Sequence, residues 1–86
     1  MARLTRSTLA RYRQAAGFTT AREAAKAVAC SRVYLLEIEE GRSSPSPALL
    51  ERMAKAYGKS TDRLRRAVRG ARADLLRRQL AQLKMT

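Results

Sequence analysis

Eighty-six residues, 45% of them apolar and many of those alanine, suffice for one domain with one small core, and the scarcity of β-branched and aromatic side chains points to an all-α fold. A single cysteine excludes an internal disulfide, the absence of histidine leaves no Cys/His metal cluster, no apolar run approaches the ~18 residues of a membrane span, and the N-terminal residues lack a signal peptide's apolar region, so a cytoplasmic protein without a cofactor is expected. Net charge is +12, from 19 basic and 7 acidic residues, which favours a polyanionic partner, nucleic acid first, over a surface that is merely arginine-rich.

The first helix is expected from about Thr5 to Ala16, with Thr5 as N-cap and a hydrophobic staple between Leu4 and Leu9. Leu9, Tyr12 and Ala16 share a face at helical spacing, Gly17 ends the helix, and Phe18 turns back into the core. Thr20 and Glu23 have the spacing of a capping box and open a second helix, 21–28, whose inner face is Ala24, Ala25 and Val28. Side chains this small let two helices cross closely. Ala29, Cys30 and Ser31 lead into a third helix, 32–40, with Ser31 suited to the N-cap and Gly41 to the position after the last turn. Leu35 and Ile38 face one way; Arg32, Val33, Leu36 and Glu37 point elsewhere and leave an outer face for a partner. A short helix, a turn of about three or four residues and a second capped helix form the helix-turn-helix pattern, here over 20–40. Cys30 is expected to fill a small core gap opposite Leu35, since no basic cluster marks it as a reactive thiol.

After Gly41 comes the Pro/Ser-rich loop RSSPSP. Ser46 followed by Pro47 starts a fourth helix that runs to Tyr57, with Leu49, Leu50, Met53, Ala54 and Tyr57 as its apolar stripe. Gly58 ends it, and Ser60 with Asp62 begins a fifth, in which Leu64 and Val68 continue inward. Gly70 is either a break or an interior helix glycine. Beyond it Ala73, Leu76, Leu80 and Leu83 recur at alternating spacings of three and four, over two heptads, too few to establish a coiled coil. Basic residues crowd this end. Residues 59–86 carry nine basic and two acidic side chains, against ten and five in 1–58. Arg65, Arg66, Arg69, Arg72, Arg77 and Arg78 either add phosphate contacts or form a solvated face. The chain thus divides into a DNA-binding domain, 1–69, and a helical extension, 70–86, that folds back, pairs with a second copy or contacts the DNA backbone.

Leu9, Arg13, Gly17 and Ala25 precede the block Ser31-Arg32-x-Tyr34-Leu35-x-x-Ile38-Glu39-x-Gly41, followed by Ser44-Pro45-Ser46 and Leu50-x-x-Met53-Ala54-x-Ala56-Tyr57-Gly58. This ordered set, over roughly two-thirds of the chain, resembles the five-helix domain of lambda-type phage repressors, Cro proteins and xenobiotic-response-element-type regulators. The resemblance implies an all-α, five-helix lambda-repressor-like domain, to which the periodicity beyond Gly70 adds a C-terminal amphipathic helix. It makes Ala25 the small residue at the approach of helix two to helix three, and Arg13 with Glu39 the structural pair that ties helix one to the reading helix. Arg32, Val33, Leu36 and Glu37 fall where the family reads bases: the arginine suits a guanine edge, the valine a thymine methyl, the glutamate a cytosine amino group. Thr20, Ser31, Tyr34, Arg42, Ser43 and Ser44 fall where it grips phosphates, Tyr34 also packing. The chain departs from the family in four ways. The segment after Gly17 is one residue longer, Ala21 replaces a glutamine, Glu37, Glu39 and Glu40 put three carboxylates on or beside the reading helix, and Lys59 takes an apolar position.

A transcriptional repressor acting as a homodimer on double-stranded DNA is the first expectation, in a phage, a mobile element or a toxin–antitoxin pair, switched by concentration or by a protein partner. A protein-interaction module of the same fold is the alternative, supported by the acidic outer face of helix three. Charge alone would support a non-specific architectural protein. No histidine, nucleophile–base set, phosphate-cradling glycine loop or metal cluster supports an enzyme.

Overall fold

A hydroxyl side chain opens every helix in the computed structural model, which describes residues 7–85. Five helices are present and no strand among the described residues: α1 (Thr8–Ala15), α2 (Ala21–Val28), α3 (Arg32–Glu40), α4 (Pro47–Tyr57) and α5 (Thr61–Met85). Ser7, Thr20, Ser31, Ser46 and Ser60 each accept the amide N–H three residues on, which satisfies one orphan donor per helix and contributes ~1 kcal/mol apiece.

The caps of α2, α3 and α4 lie where the sequence put them. The start of α1 does not. Ser7, not Thr5, is its N-cap, and Thr5 with the Leu4–Leu9 staple lies outside the described residues. Threonine and serine crowd this stretch, and each is able to compete for the first free amides. The buried face of α1 is also corrected: Leu9, Ala10 and Arg13 are buried, whereas Ala16 is the exposed C-cap. A buried arginine breaks the apolar pattern by which that face was read.

Leu9, Val28, Leu35, Ile38, Leu49, Met53 and Leu64 are fully buried, so all five helices contribute to one core. Ala24 and Ala25 let α2 sit close against α3. Phe18 closes the α1–α2 turn against the Tyr57 ring, 6.2 Å away.

Gly70 lies inside α5, which runs unbroken for 25 residues. Leu64, Ala67 and Ala71 bury its inner face, while Val68 is only half-buried. Gly41, in the left-handed region at φ +86, also lets α5 come close: an added Cβ would lie 2.7 Å from the Ala71 carbonyl carbon and 3.0 Å from the Arg72 nitrogen. A side chain at position 41 would therefore have to displace α5 or the end of α3. Leu75 is half-buried, but the leucines of the predicted stripe do not fold back. Leu76, Leu80 and Leu83 are 49%, 59% and 71% exposed. No helix among the described residues is long and apolar enough to cross a membrane.

Candidate nucleic-acid interface

The position of α3 is fixed from its inner side. Leu35 and Ile38 are fully buried, and Glu39 is buried beside them. Its carboxylate accepts from Arg13 Nε at 2.7 Å and Arg13 Nη2 at 3.4 Å. Arg13 Nη1 donates to the carbonyls of Phe18 and Thr19, both at 3.0 Å. One guanidinium on α1 therefore holds α3 and the turn that leads into α2. Its planar fork suits this, because three separate acceptors are met without moving the side chain. The buried charges are matched by each other and by backbone, which is the condition under which such a pair is tolerated.

The outer side of α3 is open. Arg32 and Val33 are exposed, Val33 at 59%, and Tyr34, Leu36 and Glu37 are half-buried. Leu36 turns sideways, bordering with Glu40 a groove between α3, α1 and α5. The loop after α3 is strapped back onto the helix. The Tyr34 hydroxyl donates to the Ser44 carbonyl at 2.8 Å, and Ser43 Oγ donates to Glu37 Oε1 at 3.2 Å. Arg42 Nε lies 3.3 Å from Glu40 Oε1 in an exposed ion pair. Each of the three carboxylates of α3 thus has a partner, and their repulsion toward a phosphate is softened accordingly. Ser43 spends its hydroxyl proton on Glu37, so in this loop Arg42 and Ser44 are better placed for a phosphate.

Two helix N-termini flank this face. At α2 the capping box is complete: Thr20 Oγ1 accepts from the Glu23 amide at 3.2 Å, and Glu23 Oε1 accepts from the Thr20 amide at 3.2 Å and the Thr19 hydroxyl at 3.1 Å. The Thr20 amide, and after it the Thr19 hydroxyl, hold the Glu23 carboxyl below its ordinary range. At α3 the exposed Ser31 accepts from the Tyr34 amide at 3.0 Å, and a hydroxyl used this way keeps a proton to donate.

Two supporting contacts had no sequence signal. Arg52 Nε on α4 donates to the Val28 carbonyl at 2.8 Å, tying down the end of α2. There Ala29 takes φ 59, the one positive φ outside glycine among the described residues. Lys59 is explained by Tyr12, whose ring centroid lies 5.1 Å from Nζ. Cys30 is half-buried against the core and its Sγ lies 3.4 Å from the Ser31 carbonyl. Burial pushes its thiol pKa up, against a smaller opposing effect of Arg52, so the site does not activate it. Among the described residues no group of three His, Cys, Asp or Glu is placed to hold a metal ion.

The family model of the helix-turn-helix domain matches residues 6–68, from just before α1 into α5. No curated protein and no solved structure matches the chain. The arrangement of capped α2, tight turn and buttressed α3 is that of the family's DNA-binding unit, and the chain belongs to the helix-turn-helix domain family of DNA-binding regulators, in its lambda repressor/Cro-like form.

Proposed function

We propose that the chain is a sequence-specific regulator of transcription, a repressor that lays α3 in the major groove of double-stranded DNA. The supporting observation is the two-sidedness of α3. Its inner side is immobilised by Leu35, Ile38 and the Arg13–Glu39 pair, and its outer side presents Arg32 and Val33 without a structural task. Arg32, Val33 and Glu37 read base edges in this scheme, with Leu36 at the margin. Thr20, Ser31, Arg42 and Ser44 set the register on phosphates, Arg42 and the two helix N-termini most directly, while Tyr34 and Ser43, whose hydroxyl protons go to the Ser44 carbonyl and to Glu37, brace the loop. The net charge of +12 supplies a salt-dependent attraction that is the same for every sequence.

Two copies occupy one operator, with their reading helices about 34 Å apart, so the operator is an inverted repeat. Bound across a promoter, such a pair excludes polymerase. Selection of bound duplexes from a random pool at near-physiological salt tests this. Enrichment of an inverted repeat supports it, a single half-site removes the pairing of copies, and tight binding with no enriched motif leaves charge alone as the function. Absence of binding would favour the interaction module, with the acidic face of α3 as its docking side.

A further inference from the structure

The outward face of the α5 extension has no part in the core or in the DNA interface. Ala73, Leu76, Leu80 and Leu83 follow one another at spacings of three, four and three, which places them at successive a and d positions of a heptad. Leu76 and Leu80, on which the inference rests, are half-exposed or more. The inner side of the same helix is already used: Ala71 is buried under Gly41, and Arg77, Arg78 and Ala81 border the groove beside α1 and α3.

In this register the residues flanking the stripe at g are Arg72 and Gln79, and those at e are Arg77 and Lys84. These positions choose the partner of a short helical pair. A parallel pair of two copies would set Arg72 against Arg77 and Gln79 against Lys84. An antiparallel pair would bring Arg77 and Lys84 into apposition. Neither arrangement meets an opposite charge. Asp74, on the groove side of the helix, is bonded to Arg77 and offsets that arginine, which leaves Arg72 and Lys84 to set the sign of the flanks. One turn earlier the exposed Arg69 takes the preceding d position, where a parallel second copy would set it against its own counterpart, whereas Arg65 is paired with Asp62. Two heptads bury too little apolar surface to overcome such repulsion.

We infer that this face of α5 docks an acidic amphipathic helix of a different protein, whose apolar residues cover Leu76 and Leu80 and whose carboxylates meet Arg69, Arg72 and Lys84. Arg69 in the seam and the absence of any acidic flanking residue to meet Arg72 and Lys84 disfavour a second copy, and a leucine stripe is of no use to a phosphate backbone. The surface lies opposite the α1–α3–α5 groove, so docking leaves the outer face of α3 free. Regulation would be joined to a partner at a site separate from the one that reads DNA.

The probe is a labelled two-and-a-half-heptad peptide with leucine at a and d and glutamate at e and g, titrated into the full chain, beside an isomer with lysine at e and g. The glutamate peptide is expected to bind on the order of tenfold or more tighter than the lysine peptide, with affinity falling as salt rises. Leu76→Ser with Leu80→Ser should abolish that binding while leaving helix content and DNA affinity unchanged, as both side chains are exposed. Equal binding of the two peptides, or none, overturns the inference. So does a chain that sediments as a dimer and becomes monomeric in the double variant, which assigns the face to a second copy. Binding to vesicles of anionic lipid that is lost in the same variant, with no preference for the glutamate peptide, assigns it to a membrane surface. None of these outcomes depends on α3 reading bases, so failure here and failure of the repressor function are told apart.

Discussion

Arg13 and Glu39, 26 residues apart in the chain, form a buried ion pair through which α1 grips α3. Removing one partner leaves the other charge unmatched in the interior, and Arg13 also releases the carbonyls of Phe18 and Thr19. Arg13→Met is expected to lower stability by about 3–5 kcal/mol in urea unfolding. Replacing both residues with methionine should recover part of that loss. The exposed Arg65–Asp62 pair is the control, where Arg65→Met should change stability by less than about 1 kcal/mol. Equal effects at the two sites would show that Arg13 is not the tie.

Gly41 and Gly58 both end helices at positive φ, but only Gly41 is pressed by another helix. Alanine at Gly58 meets open space and should cost about 1–2 kcal/mol for the left-handed backbone alone. Gly41→Ala carries the same penalty plus displacement of α5 from its contact at Ala71. It should therefore be clearly the more destabilising in thermal unfolding, and it should change the α5 direction seen by solution scattering.

Ala29 is the reverse case. Its φ of 59 is held by the end of α2 and by Arg52 on the Val28 carbonyl. Ala29→Gly should raise stability by about 1 kcal/mol, because relief of the left-handed penalty outweighs the added freedom of the unfolded chain. A loss of stability would mean that the alanine methyl packs usefully in the folded protein.

Burial raises the Cys30 thiol pKa, so at pH 8 a smaller fraction is thiolate than in a free cysteine. Alkylation by iodoacetamide should be slower than for free cysteine, and should speed up when the chain is unfolded in urea. Faster reaction in the folded state would identify an activated thiol.

Tyr57 packs on Phe18, yet its buried hydroxyl has no hydrogen-bond partner among the described residues. Burial, and after it the nearby Glu39 charge, raise its pKa. Tyr57→Phe removes the unmet group and keeps the ring, so stability should be unchanged or higher by up to about 1 kcal/mol. A loss above that would reveal a partner for the hydroxyl.

Capping explains why the helix-turn-helix was legible. Thr20 with Glu23, Ser31 with Gly41, and Ser46 with Pro47 are signals that act within four residues or across one helix, so the sequence displays them directly. Contacts across the fold are not displayed. Arg13 and Glu39 came into view only through the resemblance, and Arg52 on Val28 not at all, since an exposed arginine on a helix looks the same whether or not it reaches a carbonyl 24 residues away. At α1, Ser7 and Thr5 were equivalent in composition. The leucines of α5 were legible as a stripe, but whether they fold back depends on where the unbroken helix runs past the core, which local periodicity does not encode.

Repeating the duplex selection with Arg32→Ala, Glu37→Ala and Arg42→Ala tests most directly whether α3 reads sequence. The account predicts that Arg32→Ala and Glu37→Ala each relax the motif at their own positions in both half-sites, at a cost of about 1–3 kcal/mol per lost base contact. Arg42→Ala should keep the motif and weaken all sequences alike. Recovery of the wild-type motif from both α3 variants would contradict the account and place base reading elsewhere on the chain.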